Sequence, residues 1–238
     1  MRIAIINPNT TASMTTGIVA AAIAVAGPRT QIVGMQSTAG PEAIEGPFDG
    51  ALSVPGLLKQ VIAAEMDNVD AHIIACFDDT GLDAARAIAT KPVIGIGEAA
   101  LHAVSLVAHS FCVVTTLSRS APLIEDNIRR YGFSHRCRRV FASDIPVLEL
   151  ERPGSGASER ISELICEGIR LGAEGVALGC AGMAAFASAL QRKHDIPVVD
   201  GVGAAVGLAE TLIRCGLAPS KRGVWAMPAR PNGLDRFE

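Results

Sequence analysis

Two cysteines, Cys76 and Cys180, stand at matching places in two similar stretches, one from Asp70 to Ala100 and one from Glu174 to Ala205. Each stretch runs from an apolar segment ending in the cysteine through a Gly-containing turn and an Ala-rich helical segment. A second apolar run opened by proline and another Gly-rich turn follow. Cys76 precedes Pro92 by 16 residues and Cys180 precedes Pro197 by 17, so the two stretches keep register to within one residue. Further back, the apolar run Ile3 to Ile6 ends in Asn7, Asn9 and Thr10, while Phe111 to Val114 ends in Thr115, Thr116 and Ser118. This is an internal duplication. If the halves face each other, two thiols flank one site, where a thiolate can serve as base or nucleophile. Two-base chemistry there needs one thiolate and one thiol at once.

The elements that must position these thiols read as alternating strands and helices. Strands are expected near 2–6, 30–36, up to Cys76, 92–96, 111–115, 138–142, up to Cys180, and 196–199. Helices are expected around 13–26, 51–67, 80–90, 97–108, 119–131, 157–171, 182–193 and 202–215. Two long loops, 37–50 with Glu42, Glu45 and Phe48, and 143–156, interrupt the pattern. The tail from Pro219 is polar with three prolines and is expected to be loosely attached. Alternation of this kind implies parallel sheets with helical crossovers. Eight strand-helix units also fit a closed barrel, although duplication into four plus four favours two lobes. In either architecture ligands bind at the carboxyl ends of the strands, where Asn7, Cys76, Thr115 and Cys180 fall.

A cysteine that ends a strand and precedes a helix lies near backbone N–H groups and the positive end of the helix dipole, which favour thiolate. Asp78 and Asp79 oppose that effect beside Cys76, so the net sign stays open; both also suit capping of the helix opening near Thr80. Cys112, Cys137, Cys166 and Cys215 lie within strands, helices or polar surface sequence and read as structural. Gly95-Ile96-Gly97-Glu98-Ala99-Ala100 matches a dinucleotide-binding pattern, but the acidic residue expected about 20 positions on is missing, and the glycines are expected to serve tight packing. The five histidines have no metal-ligand spacing, His72 and His102 reading as core or interface residues.

With 49% hydrophobic and 19% charged residues, the 238-residue chain has globular composition. A net charge of −3 with scattered Lys and Arg argues against a nucleic-acid partner. The longest apolar run, Ile18 to Ala26, is about half of what a bilayer needs, so no membrane association is expected. No export signal or C-x-x-C is seen, and reduced thiols in a cytoplasm are expected.

Asn7-Pro8-Asn9-Thr10, Ala75-Cys76-Phe77-Asp78-Asp79-Thr80-Gly81-Leu82-Asp83-Ala84 and Leu178-Gly179-Cys180-Ala181-Gly182-Met183 together resemble the aspartate/glutamate/hydantoin racemase superfamily, and within it most of all the hydantoin racemases. The resemblance covers essentially the whole chain up to the tail. It implies an α/β fold of two flavodoxin-like lobes with parallel sheets related by a pseudo-twofold, with the site in the cleft between them. The last helix would return to the first lobe, giving lobes of 1–96 plus 207–238 and of 97–206. The implied activity is cofactor-independent racemisation of a small molecule, a 5-substituted hydantoin, by Cys76 and Cys180, in a homo-oligomer. The backbone of Phe77, Asp78, Gly179 and Ala181, with Asn7, Thr115 and Thr116, would hold the ring carbonyls and amides. Gly-Cys-Ala-Gly departs from the Gly-Cys-Thr of the amino-acid racemases, which points away from free aspartate or glutamate. Allantoin, itself a 5-substituted hydantoin, remains open as substrate. So do decarboxylation, cis-trans isomerisation and, from a different class, ligand binding without turnover.

Overall fold

The computed structural model describes residues 1–150, 152 and 154–229. In chain order the strands are β1 (Arg2–Asn7), β2 (Gln31–Gln36), β3 (Ala71–Ile74), β4 (Val93–Gly95), β5 (Phe111–Thr115), β6 (Cys137–Ala142), β7 (Gly175–Leu178) and β8 (Val198–Asp200). The helices are α1 (Ala12–Val25), α2 (Pro47–Met66), α3 (Leu82–Ile88), α4 (Ile96–Val107), α5 (Ala121–Arg130), α6 (Ala157–Arg170), α7 (Ala187–His194) and α8 (Gly201–Arg214). All strand pairs are parallel, in two open sheets ordered β2-β1-β3-β4 and β6-β5-β7-β8, so the chain is not a closed barrel. Because helices cover both faces, the central strands show no alternation of buried and exposed residues: Ile3, Ala4, Ile5 and Ile6 are all fully buried.

The two sheets repeat each other in register. Ile6 pairs with Ile74 as Val114 pairs with Leu178, and each cysteine follows its strand by two residues. In both sheets the strand order reverses between the first two strands of each half and the third, which is where open α/β sheets leave a crevice for ligand. The sheets are joined by a core that draws on both, including Ile3, Ile73, Phe111 and Ala177. Helix α4 leaves the first sheet yet packs on β7 of the second. A Cβ at Gly175 would come within 2.8 Å of Ala108 and 3.1 Å of Val104, so glycine is what lets α4 lie that close. Helix α8 leaves the second sheet and packs on β3, β4, α1 and α4 of the first half.

Several boundaries differ from the sequence expectations for local reasons. β3 and β7 end two residues before their cysteines, because each cysteine opens a tight turn. α2 begins at Pro47, since proline suits a helical first turn, and takes Phe48 out of the loop. The segment 181–193 starts as a 3₁₀ turn over Ala181–Phe186 before becoming α-helical. The tail is held where it was expected to be loose. Lys221 Nζ donates to Arg86 O at 2.6 Å, Trp225 Nε1 donates to Asp83 at 3.2 Å, and Arg86 lies over the Trp225 ring. The expectation for 230–238 lies outside the described residues.

Candidate active site

The backbone delivers the two cysteines by the same device twice. Ala75 N donates to Ile6 O at 2.9 Å and Gly179 N to Val114 O at 2.7 Å, which extends each sheet by one residue before the chain turns. Cys76 O then accepts from Asp79 N at 3.1 Å, and Cys180 O from Met183 N at 3.0 Å. The neighbouring turns match as well, with Asn7 O and Thr115 O accepting from Ser37 N and Ser143 N, both at 3.0 Å. Both switch points open onto one cavity of about 40 Å³, lined by Ala75, Cys76, Phe77 and Asp78 from one half and Thr115, Thr116, Gly179, Cys180 and Ala181 from the other. Pro8, Asn9, Met14, Ile44, Ser120 and Val147 complete the wall.

Eight of the nine expected site residues therefore line one cavity. Asn7 does not. Its side chain is 1% exposed and is engaged internally, donating to Asn9 Oδ1 at 2.8 Å and Thr15 Oγ1 at 2.9 Å, so it holds Asn9, which lines the wall. Both asparagines sit in the same Asn-Pro-Asn-Thr run, Asn7 as the last residue of β1 and Asn9 in the turn that follows it. Gly179 N, expected to bind a ring carbonyl, already donates to Val114 O. Thr115 Oγ1 donates to Gly179 O at 3.0 Å and fixes that turn. Met14, Ile44, Ser120 and Val147 carry no sequence signal, since they reach the wall from helix and loop positions set by long-range packing.

The electrostatics of the two turns differ. Burial pushes the Cys76 thiol up to about 12, the Asp78 carboxylate adds to the shift, and the Thr80 hydroxyl at 3.5 Å pulls weakly the other way. Burial also raises the Asp78 carboxyl to about 6. The corresponding positions after Cys180 are Ala181, Gly182 and Met183, all uncharged. The sign left open by sequence is thus upward for Cys76. Asp79 does not cap its own helix; its carboxylate accepts from Gly97 N and Glu98 N at the start of α4.

The two halves are also laced together across the cleft. Asn127 Nδ2 on α5 donates to Asp78 O at 2.9 Å. Glu45, from the first half's long loop, accepts from Arg119 Nη2 at 2.6 Å and from Val147 N at 3.0 Å. His72 is fully buried, its Nε2 2.7 Å from Glu65 Oε1 and its Nδ1 without a hydrogen-bond partner. With Nε2–H donating to Glu65, the ring is neutral and Nδ1 is an acceptor; burial lowers its pKa. Among the described residues no cluster of three or more His, Cys, Asp or Glu side chains could hold a metal ion, and no helix is long and apolar enough to cross a membrane.

The model of the Asp/Glu/Hydantoin racemase family matches residues 3–209. A hydantoin racemase of Rhizobium meliloti is 44% identical over 233 residues, covering 96% of this chain and 95% of that protein. One from Pseudomonas sp. (strain NS671) is 40% identical over 242 residues, covering 100% and 96%. Among solved structures, an allantoin racemase from Klebsiella pneumoniae superposes with a TM-score of 0.94 at 45% identity, covering 96% of this chain and 94% of that one. Paired sheets, matched cysteine turns and these full-length similarities agree: the chain belongs to the Asp/Glu/hydantoin racemase family.

Proposed function

We propose that this enzyme racemises 5-monosubstituted hydantoins at C5, with Cys76 and Cys180 as acid and base on opposite faces of the ring. The observation that carries the reading is one cavity receiving two cysteines from equivalent turns of two repeated sheets. Inverting a carbon acid requires a proton to leave one face and another to arrive on the opposite face. The C5–H bond lies next to a ring carbonyl, so its loss gives a planar enolate whose oxygen backbone N–H groups of Phe77, Asp78 and Ala181 can stabilise. This chemistry needs no cofactor. Cys76, raised to about 12, rests as the thiol and donates; Cys180 accepts for the enantiomer that presents C5–H to it. The roles exchange for the opposite hand. Asn9 and Thr116 supply polar wall to the ring amides, with Thr115 holding the Gly179 turn.

The pocket of about 40 Å³ is partly open to solvent between the two cysteine turns, as a cleft between two lobes would be. This fits lobes of 1–96 plus 207–238 and of 97–206, joined by the exchanged α4 and α8. A cytoplasmic setting is supported by the exposed thiols of Cys166 and Cys215. A homo-oligomer is supported by exposed Leu106 and Val107 at the end of α4, beside a groove of about 410 Å³ between α4 and α8.

The test follows one enantiomer of 5-benzylhydantoin in deuterated buffer, recording optical rotation and C5 deuterium together. Loss of rotation with deuterium gained and the ring intact is the expected result. No exchange with this compound but exchange with allantoin would favour the second reading, which the likeness to the Klebsiella pneumoniae allantoin racemase supports. Exchange with neither would remove both.

A further inference from the structure

The glycines of Gly95-Ile96-Gly97 are shaped around a single carboxylate. A Cβ at Gly95 would lie 2.0 Å from Asp79 Oδ1, and one at Gly97 would lie 2.1 Å from Phe77 O and 2.8 Å from Asp79 Oδ2. Asp79 is 7% exposed, has a left-handed backbone (φ +52°), and sits three residues after Cys76. Its carboxylate accepts from Gly97 N at 3.0 Å, Glu98 N at 2.8 Å and the Tyr131 hydroxyl at 2.8 Å. One turn earlier on the same helix end, Asn127 holds Asp78 O.

The second half shows that capping alone does not demand this arrangement. There the residue at the start of α8 is Asp200, which caps its own helix by accepting from Gly203 N at 2.7 Å. The equivalent position in the first half is Gly95, which has no side chain, and the cap comes from Asp79 in the cysteine turn, 18 residues before the donor Gly97.

We propose that Asp79 is a positioning residue for Cys76: one buried carboxylate clamps the Cys76 turn to the N-terminus of α4 and, through Tyr131, to the second half, and so sets the separation of the two cysteines. The proposal rests on Cys76 being a reacting group. The titratable groups that interact with Asp79 are Cys76 on its own turn, Glu98 on α4 (paired with Arg86 of α3) and Tyr131 at the C-terminal end of α5, itself beside Arg130. Burial raises the Asp79 carboxyl to about 7, against the pull of its three donors.

The experiment compares Asp79→Asn and Tyr131→Phe with the wild type in two readouts. One is kcat and KM with a 5-substituted hydantoin. The other is the pH dependence of Cys76 alkylation by iodoacetamide, followed by peptide mass spectrometry with Cys180 as internal reference. Asp79→Asn places an amide N–H against a backbone donor, so kcat falls about 10- to 100-fold with KM little changed. Loss of the negative charge also moves the Cys76 alkylation midpoint to lower pH, because Asp79 is one of the charges that raise the thiol, so the change in position is read from Tyr131→Phe, which leaves the carboxylate in place. Tyr131→Phe, which removes only a hydroxyl, lowers kcat by about three- to tenfold and speeds Cys76 alkylation relative to Cys180. Wild-type kcat, or a Cys76 alkylation profile superposed on the wild type, in Asp79→Asn overturns the proposal. Where Asp79→Asn does not fold, the same two outcomes in Tyr131→Phe overturn it. A wild type that racemises nothing ends the functional reading, while the alkylation profiles still test the clamp.

Discussion

The two halves share strand order, register and turn hydrogen bonds, yet their cysteine turns differ in charge. After Cys76 come Asp78 and Asp79, both buried enough to have raised carboxyl pKa values. After Cys180 come alanine, glycine and methionine. Backbone geometry has therefore been kept while electrostatics has diverged. A two-base reaction gains from that divergence, because identical environments would favour the same protonation state on both thiols.

The largest effect on this comparison comes from deleting either thiol. Cys76→Ala and Cys180→Ala should each lower racemisation by about a thousandfold or more, measured by polarimetry. Full activity in one would make that half a scaffold for the other. A smaller effect comes from the residue before each cysteine, which is Ala75 in one half and Gly179 in the other. A Cβ at Gly179 would come within 3.0 Å of Thr115 Cβ and Val114 O, so Gly179→Ala should destabilise by about 1–3 kcal/mol in denaturant unfolding. Ala75→Gly should cost less, about 1 kcal/mol or under, from lost methyl burial and added chain entropy.

Acid-base linkage separates the halves further. An Asp79 carboxyl raised to about 7 contributes stability that is complete below its unfolded value near 4 and is lost as pH rises through 7. His72 works in the opposite sense, its lowered pKa removing stability as pH falls below about 6.5. Melting temperatures from pH 5 to 8 should thus decline less steeply in Asp79→Asn than in the wild type, and equal slopes would contradict the assignment. The smallest effect is expected across the cleft mouth. Arg119 is 59% exposed, so Glu45→Gln should change stability by less than about 1 kcal/mol, while raising KM more than it lowers kcat.

Much of this was legible in the sequence because parallel strands buried on both faces read as plain apolar runs, and the duplication showed which turns correspond. The two cysteines followed from that correspondence. What stayed hidden depends on contacts far apart in the chain. The lobe boundary at 96/97 came only from the resemblance; the residues near 96 do not themselves say that α4 will pack on the second sheet, where Gly175 makes room for Val104 and Ala108. Asp79 looked like a local cap for α3, yet its carboxylate is taken by α4, for which two glycines had made room. Asn9 lies two residues past Asn7 and beyond the end of β1, so only the turn that follows the strand, and no periodicity in the sequence, decides that Asn9 rather than Asn7 lines the cavity.

The most direct measurement is C5 hydrogen exchange on each pure enantiomer in deuterated buffer with Cys76→Ala and Cys180→Ala. A lone thiol can still remove and return a proton on its own face. Each variant should therefore exchange one hand only, with opposite hands for the two variants, and racemise neither. Exchange of the same hand by both variants, or of both hands by one, would contradict acid and base on opposite faces.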